Sequence, residues 1–194
     1  MGPPTDQPVV SMGSAVHHLL MVVIAASLVA SAFARIGWMT PLSVVAGWTA
    51  LSLVAYTIHR FVFHGRGGTL ARAHAHHHAY PLDEQLDLVS YFGPIIVIFA
   101  AWLLVAVVTG SAAVAHGIAA GGCLGYSWFR LIHRLVHMPR RPAFIERYVD
   151  MHTRHHRDPT VNFSVTVRFW DRAFGTLYPV SVPDSSVRSD ERTL

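Results

Sequence analysis

The sequence predicts an all-α integral membrane protein, with about four transmembrane helices and a cytoplasmic helical cap that carries a histidine-rich site. Three observations predict it. Of the 194 residues 52% are apolar and 13% charged, against about 25% charge in an average soluble domain. Uncharged runs long enough to cross a bilayer recur along the chain. The chain also holds 14 histidines, a residue costly to place near lipid unless something uses it.

The elements follow in order. Residues 1–13 contain Pro3, Pro4 and Pro8 and no basic residue, so they read as a disordered lead and not as a secretory signal. Ser14 to Ala34 contains no Asp, Glu, Lys or Arg. About 20 apolar residues cross a bilayer as a helix, so this is the first span, with His17 and His18 near its start. Ile36 to Ile58 is the second, opened by Gly37 and Pro41. Leu88 to Phe129 has no formal charge over 42 residues, which suits two spans joined at Thr109-Gly110-Ser111. Residues 14–178 form one membrane-embedded domain, and 179–194 a flexible tail.

Four spans put both termini on one side. The connections on the far side carry only Arg35, while the other 14 arginines fall on the near side. Short loops rich in basic residues stay in the cytoplasm, so the termini, residues 59–87 and the region after Arg130 are expected there. The protein is expected to be a multi-pass protein of a bacterial inner membrane. All 15 basic residues are arginine and the formal charge is +4, a balance suited to an anionic membrane surface or to acidic head groups. Nucleic acid is not an expected partner. Cys123 is the sole cysteine, which excludes intrachain disulfides and CxxC metal or redox sites.

Four histidine clusters therefore carry the chemistry: His59-Arg-Phe-Val-Phe-His64, His74-Ala-His-His77-His78, His133-Arg-Leu-Val-His137 and His152-Thr-Arg-His155-His156. At about 100° per residue, each i, i+3, i+4 triplet, 74/77/78 and 152/155/156, lies on one helix face, as does the pair 133/137. His59 and His64 are five apart and share no face on a straight helix, but Gly65 follows at once and is expected to end the helix and turn His64 inward. His76 is about 200° from His74 and points elsewhere. His17, His18 and His116 read as isolated polar residues. Ten imidazoles remain, and since one such metal takes four to six ligands, ten suit two ions. A haem site needs two facing ligands within the bilayer and leaves two HxxHH triplets unexplained.

These clusters, with Pro81 and Asp83, Gly121 to Tyr126, and the string Phe169-Trp170-Asp171-Arg-Ala-Phe174-Gly175-Thr176, resemble the fatty acid hydroxylase and sterol desaturase superfamily. Fatty acid 2-hydroxylases match best, over about residues 50–178. The resemblance implies an O2-dependent di-iron hydroxylase of a lipid acyl chain, acting at C2. It implies His59, His64, His74, His77, His78, His133, His137, His152, His155 and His156 as ligands of two iron ions, with zinc a substitute in purified protein. No catalytic side chain is expected beyond the ligands. The expected partners are a fatty acyl or other lipid substrate, O2, the membrane, and a separate electron donor such as a cytochrome b5-like protein, a ferredoxin or a reductase, since the chain has no cysteine cluster and no GxGxxG. Asp83, Asp150, Asp158 and Asp171 are candidates to orient ligand imidazoles. The chain departs from the acyl branch at Arg130, where relatives carry Asp, at Met138, where they often carry His, and in a shorter loop from His64 to His74. Two other readings remain: a carotenoid or sterol-type hydroxylase or desaturase, and a non-catalytic metal- or haem-binding membrane protein.

Overall fold

The computed structural model describes residues 12–82 and 88–178. The sequence-predicted lead up to residue 11, the tail from 179 and Asp83 lie outside the described residues. Helix α1 (Met12–Ile36) is followed by a short 3-10 turn (Gly37–Met39) and α2 (Thr40–Ile58), which continues as a π-helical turn (His59–Phe63). Helix α3 (Thr69–Ala79) precedes α4 (Leu88–Thr109) and α5 (Ala112–His137), then α6 (Glu146–Arg157) and the short α7 (Phe169–Ala173). No strand occurs among the described residues.

Local chemistry explains the breaks. Gly37 has φ +51°, and Pro41 lies in the first turn of α2, where its missing N–H costs no helical bond. Gly110 has φ +64° and ends α4, and the Ser111 hydroxyl then accepts from the Val114 N–H at 3.3 Å to cap α5. The hairpin expected at Thr109-Gly110-Ser111 is thus present.

Helix α5 is the axis on which α1, α2 and α4 assemble, because small residues cover its surface. Gly117, Gly121 and Gly125 recur every four residues and face α2. A Cβ on Gly121 would meet the Val44 carbonyl oxygen and, at 2.7 Å, the Trp48 nitrogen, while Gly47 of α2 lies against the Ile118 backbone. Ala119 and Cys123 meet α1 and α4 in a buried cluster with Met21, Ala25, Ile98 and Tyr126.

The pairings give the directions. Along α2 and α5, Ser43 lies beside Gly117 and Leu51 beside Gly125, so the two run parallel. On α1, His17 meets Tyr126 and Ser31 meets His116, so α1 is antiparallel to α5. On α4, Ile98 meets Gly122 and Trp102 meets His116, again antiparallel. The start of α1, the end of α2, the start of α4 and the end of α5 therefore share one end of the bundle, and α3, α6 and α7 connect there. Two helical stretches among the described residues are long and apolar enough to cross a bilayer, Ala15–Phe63 of 49 residues and Phe92–Thr109 of 18. Their outer faces, including Leu19, Val23, Phe33, Leu42, Val45, Ile96, Phe99 and Val107, are exposed.

Because Gly121 touches backbone that cannot step aside, Gly121→Leu is expected to destabilise the bundle by about 3 kcal/mol or more. Gly110→Ala, in open space with a positive φ, is expected to cost only about 1 kcal/mol. Thermal unfolding of both variants in detergent micelles checks the contrast.

Candidate metal centre

Each histidine cluster reaches the shared end of the bundle by a different local device. At the end of α2 the backbone widens into a π turn, and the His64 N–H donates to the His59 carbonyl at 3.2 Å, an i to i+5 bond. That wider turn brings residues five apart onto one face, and the two Nε2 atoms lie 3.3 Å apart. The expected inward turn of His64 is real, but its cause is the π turn before Gly65 more than the glycine. Gly67 and Gly68, at φ +84° and +93°, then reverse the chain into α3.

The ten expected histidines converge, but not cluster by cluster. His59, His64, His74, His78 and His155 form one group, and His77, His133, His137 and His152 a second, with the ligand atoms of each group all within 4.8 Å of one another. Both triplets straddle the groups: α3 sends His74 and His78 to the first and His77 to the second, and α6 sends His155 to the first and His152 to the second. His156 borders the second group, its Nε2 3.0 Å from that of His152. Its ring also stacks on His78 of the first group at 4.2 Å and 8°, which joins the two groups.

The donor set fits metal ions. In the first group His74 Nε2 lies 3.0 Å from those of His59 and His64 and 3.1 Å from that of His78. One shared proton satisfies a pair of imidazole nitrogens, but it leaves the other lone pairs of a converging quintet facing one another. A cation with about 2.0–2.1 Å bonds to imidazole nitrogen accepts all of them.

The converging histidines of α3 and α6 are held uncharged. Burial first, and then repulsion from His137, pushes His77 down to about 3. Burial and His64 push His78 to about 4, and burial with His78 pushes His156 to about 3. His155 falls to about 4 through burial, opposed by its hydrogen bond to Val161, and His74 and His152 are lowered as well, burial again leading. Neutral imidazole is the form that binds metal.

Two of the outer nitrogens, those of His59 and His155, find backbone and not carboxylates. His59 Nδ1 meets the Phe163 carbonyl at 2.5 Å and His155 Nδ1 the Val161 carbonyl at 2.8 Å. Asn162, between them, has φ +53°, the left-handed turn that Asn tolerates best after Gly, and its side chain donates to the Met151 carbonyl at 3.2 Å. Of the carboxylates expected to orient ligands, Asp150 pairs with Arg154 at 2.8 Å on the exposed side. Asp158 accepts from the Thr160 N–H and hydroxyl in a surface turn. Asp171 is fully buried and accepts from the Phe163 and Ser164 N–H groups at 2.8 and 3.0 Å, with no histidine in direct contact. Carbonyl acceptors have no side-chain signature, so sequence could not name them.

The remaining histidines lie apart from both groups. His17 packs edge-on against Tyr126, His116 bonds Ser31 at 3.0 Å, and the His76 ring lies tilted against Tyr80. A cavity of about 430 Å³ runs from the apolar faces of α2, α4 and α5, at Leu51, Val54, Val97 and Phe129, to His59, His74, His77, His133 and His137. Arg130, Arg134, Ser164 and Thr166 line it near that end. Its size is that of a small-molecule site, about 300–1,000 Å³.

Comparison with known proteins finds relatives of this chain. The family model for fatty acid hydroxylase matches residues 44–176. A dihydroceramide fatty acyl 2-hydroxylase of Arabidopsis thaliana is 30% identical over 151 residues, covering 72% of this chain and 62% of that protein. A fatty acid 2-hydroxylase of Rattus norvegicus is 30% identical, covering 70% and 39%, and a ceramide very long chain fatty acid hydroxylase of Saccharomyces cerevisiae 28%, covering 73% and 38%. The chain thus spans less than two thirds of the length of these relatives. The solved structure of full-length scs7p, in which only the hydroxylase domain is visible, shares the fold, with a TM-score of 0.68 and 22% identity over 87% of this chain and 67% of that one.

The lowered histidine values set the acid stability. With the folded pKa values near 3–4 for His77, His78, His155 and His156 and an ordinary value of about 6.5 in the unfolded chain, the unfolded state binds more protons between those limits. Stability of the metal-free protein is therefore full above about pH 6.5 and falls as pH drops toward 4. The unfolding temperature of metal-free protein is expected to decline from pH 7 to pH 5, and zinc loading to raise it across that range. A flat profile for metal-free protein contradicts this.

Proposed function

The chain belongs to the fatty acid hydroxylase family, and we propose that it is an O2-dependent membrane hydroxylase that inserts one oxygen atom at C2 of a fatty acyl chain. The observation that carries the reading is the cavity whose apolar walls, between α2, α4 and α5, lead to histidines of both groups. A chain lying along Leu51, Val54 and Val97 presents its head-proximal carbons to that end, beside Arg130, Arg134, Ser164 and Thr166. Apolar walls exclude water and fix the register of the chain, and that register selects C2. The relatives named as acting on fatty acid or ceramide acyl groups support the substrate class.

In this reading the ten histidines hold two iron ions, which supply O2 activation when bound. One oxygen atom enters the C–H bond and the other leaves as water, which requires two electrons and two protons from a separate donor, a cytochrome b5-like protein, a ferredoxin or a reductase. The protein holds the imidazoles neutral and oriented, seats the acyl chain and keeps water from the reacting carbon.

We also infer four transmembrane helices, α1, α2, α4 and α5, in a bacterial inner membrane, with the cap and both termini cytoplasmic. The arginine asymmetry and the shared end of the bundle support this placement. Reporter fusions after Arg35, in the Gly110 turn and at the C-terminus are expected to mark the first two as extracytoplasmic and the last as cytoplasmic. A C-terminus outside the cell sinks the topology.

For the reaction, cells expressing the protein with a competent donor and grown under ¹⁸O₂ are expected to yield 2-hydroxy fatty acyl groups labelled at C2. Replacing His133 or His137 by Ala is expected to abolish the label while the protein still inserts. Label on a carotenoid or sterol instead assigns the other enzymatic reading, and unlabelled lipids with every donor assign the non-catalytic one.

A further inference from the structure

The peptide between Phe163 and Ser164 is used at both ends. Its carbonyl accepts from His59 Nδ1 at 2.5 Å, and its N–H donates to Asp171 Oδ2 at 3.0 Å. The other carboxylate oxygen takes the Phe163 N–H at 2.8 Å and the Thr176 hydroxyl at 2.8 Å. Since Thr176 donates to Asp171, the Tyr56 hydroxyl must donate to Thr176, at 2.9 Å, and Arg60 donates to Tyr56, also at 2.9 Å. Every proton in this chain thus has one direction, and it ends on a carboxylate with no exposed surface. An anion bonded to a peptide N–H draws charge through the amide onto its carbonyl oxygen and makes that oxygen a stronger acceptor.

Among the described residues the second group has no counterpart: His152 Nδ1 is buried with no hydrogen-bond partner. The first group instead has two histidines oriented by carbonyls, on a loop that Asp171 anchors. A ligand imidazole whose other N–H is held by a good acceptor is fixed in tautomer and is more basic toward the metal.

We propose that Asp171 is a positioning residue that orients and polarises His59 through the 163–164 peptide, and thereby makes the His59/64/74/78/155 group the tighter of two unequal metal positions. This rests on the reading of the histidines as a two-metal site.

The test is a titration of metal-free full-length protein in detergent with cobalt(II), followed by visible absorption and calorimetry. Wild type is expected to bind two ions in two steps separated by at least tenfold. His64→Ala should remove the tight step and His137→Ala the weak one. Asp171→Asn, close in shape but uncharged, is expected to weaken the tight step by about 10- to 100-fold and to shift its absorption bands, leaving the weak step unchanged. Thr176→Val, which removes the hydroxyl that aims the carboxylate, is expected to weaken the same step by less, and it decides the matter if Asp171→Asn does not fold. Two steps of equal affinity, or Asp171→Asn or Thr176→Val acting on both steps or on neither, overturns the proposal and leaves the two-metal reading intact. Wild type binding fewer than two ions overturns both.

Discussion

The structure depends on bringing many uncharged imidazoles into one desolvated space. In water histidine is part-charged near neutral pH, and nine or ten cations within one small volume would repel strongly. Burial removes that charge, as the values of about 3–4 at His77, His78, His155 and His156 reflect. It leaves rings that are poor partners for one another and good partners for a cation. The rest of the molecule holds four helix segments still enough for those rings to converge.

That rigidity begins in α5. Its stripe of Gly117, Gly121 and Gly125 lets the backbone of α2 approach to contact distance, and its other small residues take α1 and α4. In lipid, where no hydrophobic force drives one helix onto another, such close approach supplies dispersion contacts that larger side chains would block. The same tight pairing fixes the axial position of His59 on α2 relative to His133 and His137 on α5. The cavity opens where the small residues give way to Phe129 and the arginines.

The C-terminal segment closes the arrangement. Trp170 donates to Ser52 at 2.9 Å, Phe174 stacks on Tyr56, and Thr176 joins Tyr56 to Asp171, so α7 is pinned to α2 beside the first histidine group. The string Phe169 to Thr176 is thus a clamp on the loop whose carbonyls orient His59 and His155. Sequence marked the string by resemblance alone; its physical role needed the hydrogen bonds.

By itself the sequence determined the helical class, the hairpin at Gly110, the four clusters and the exclusion of His76 and His116 from them, because uncharged run length and the 3.6-residue period are local properties. Tertiary structure decided what local periodicity does not contain. A triplet on one face still subtends a wide angle, so only the facing helices assign His77 to one group and His74 and His78 to the other. The inward swing of His64 comes from a π turn that no residue type encodes. The acceptors for His59 and His155 are main-chain oxygens on a loop folded by the positive φ of Asn162, in place of the acidic side chains that sequence could nominate. Asp171 reaches the site through a peptide bond, a connection visible only once the chain has folded back on itself.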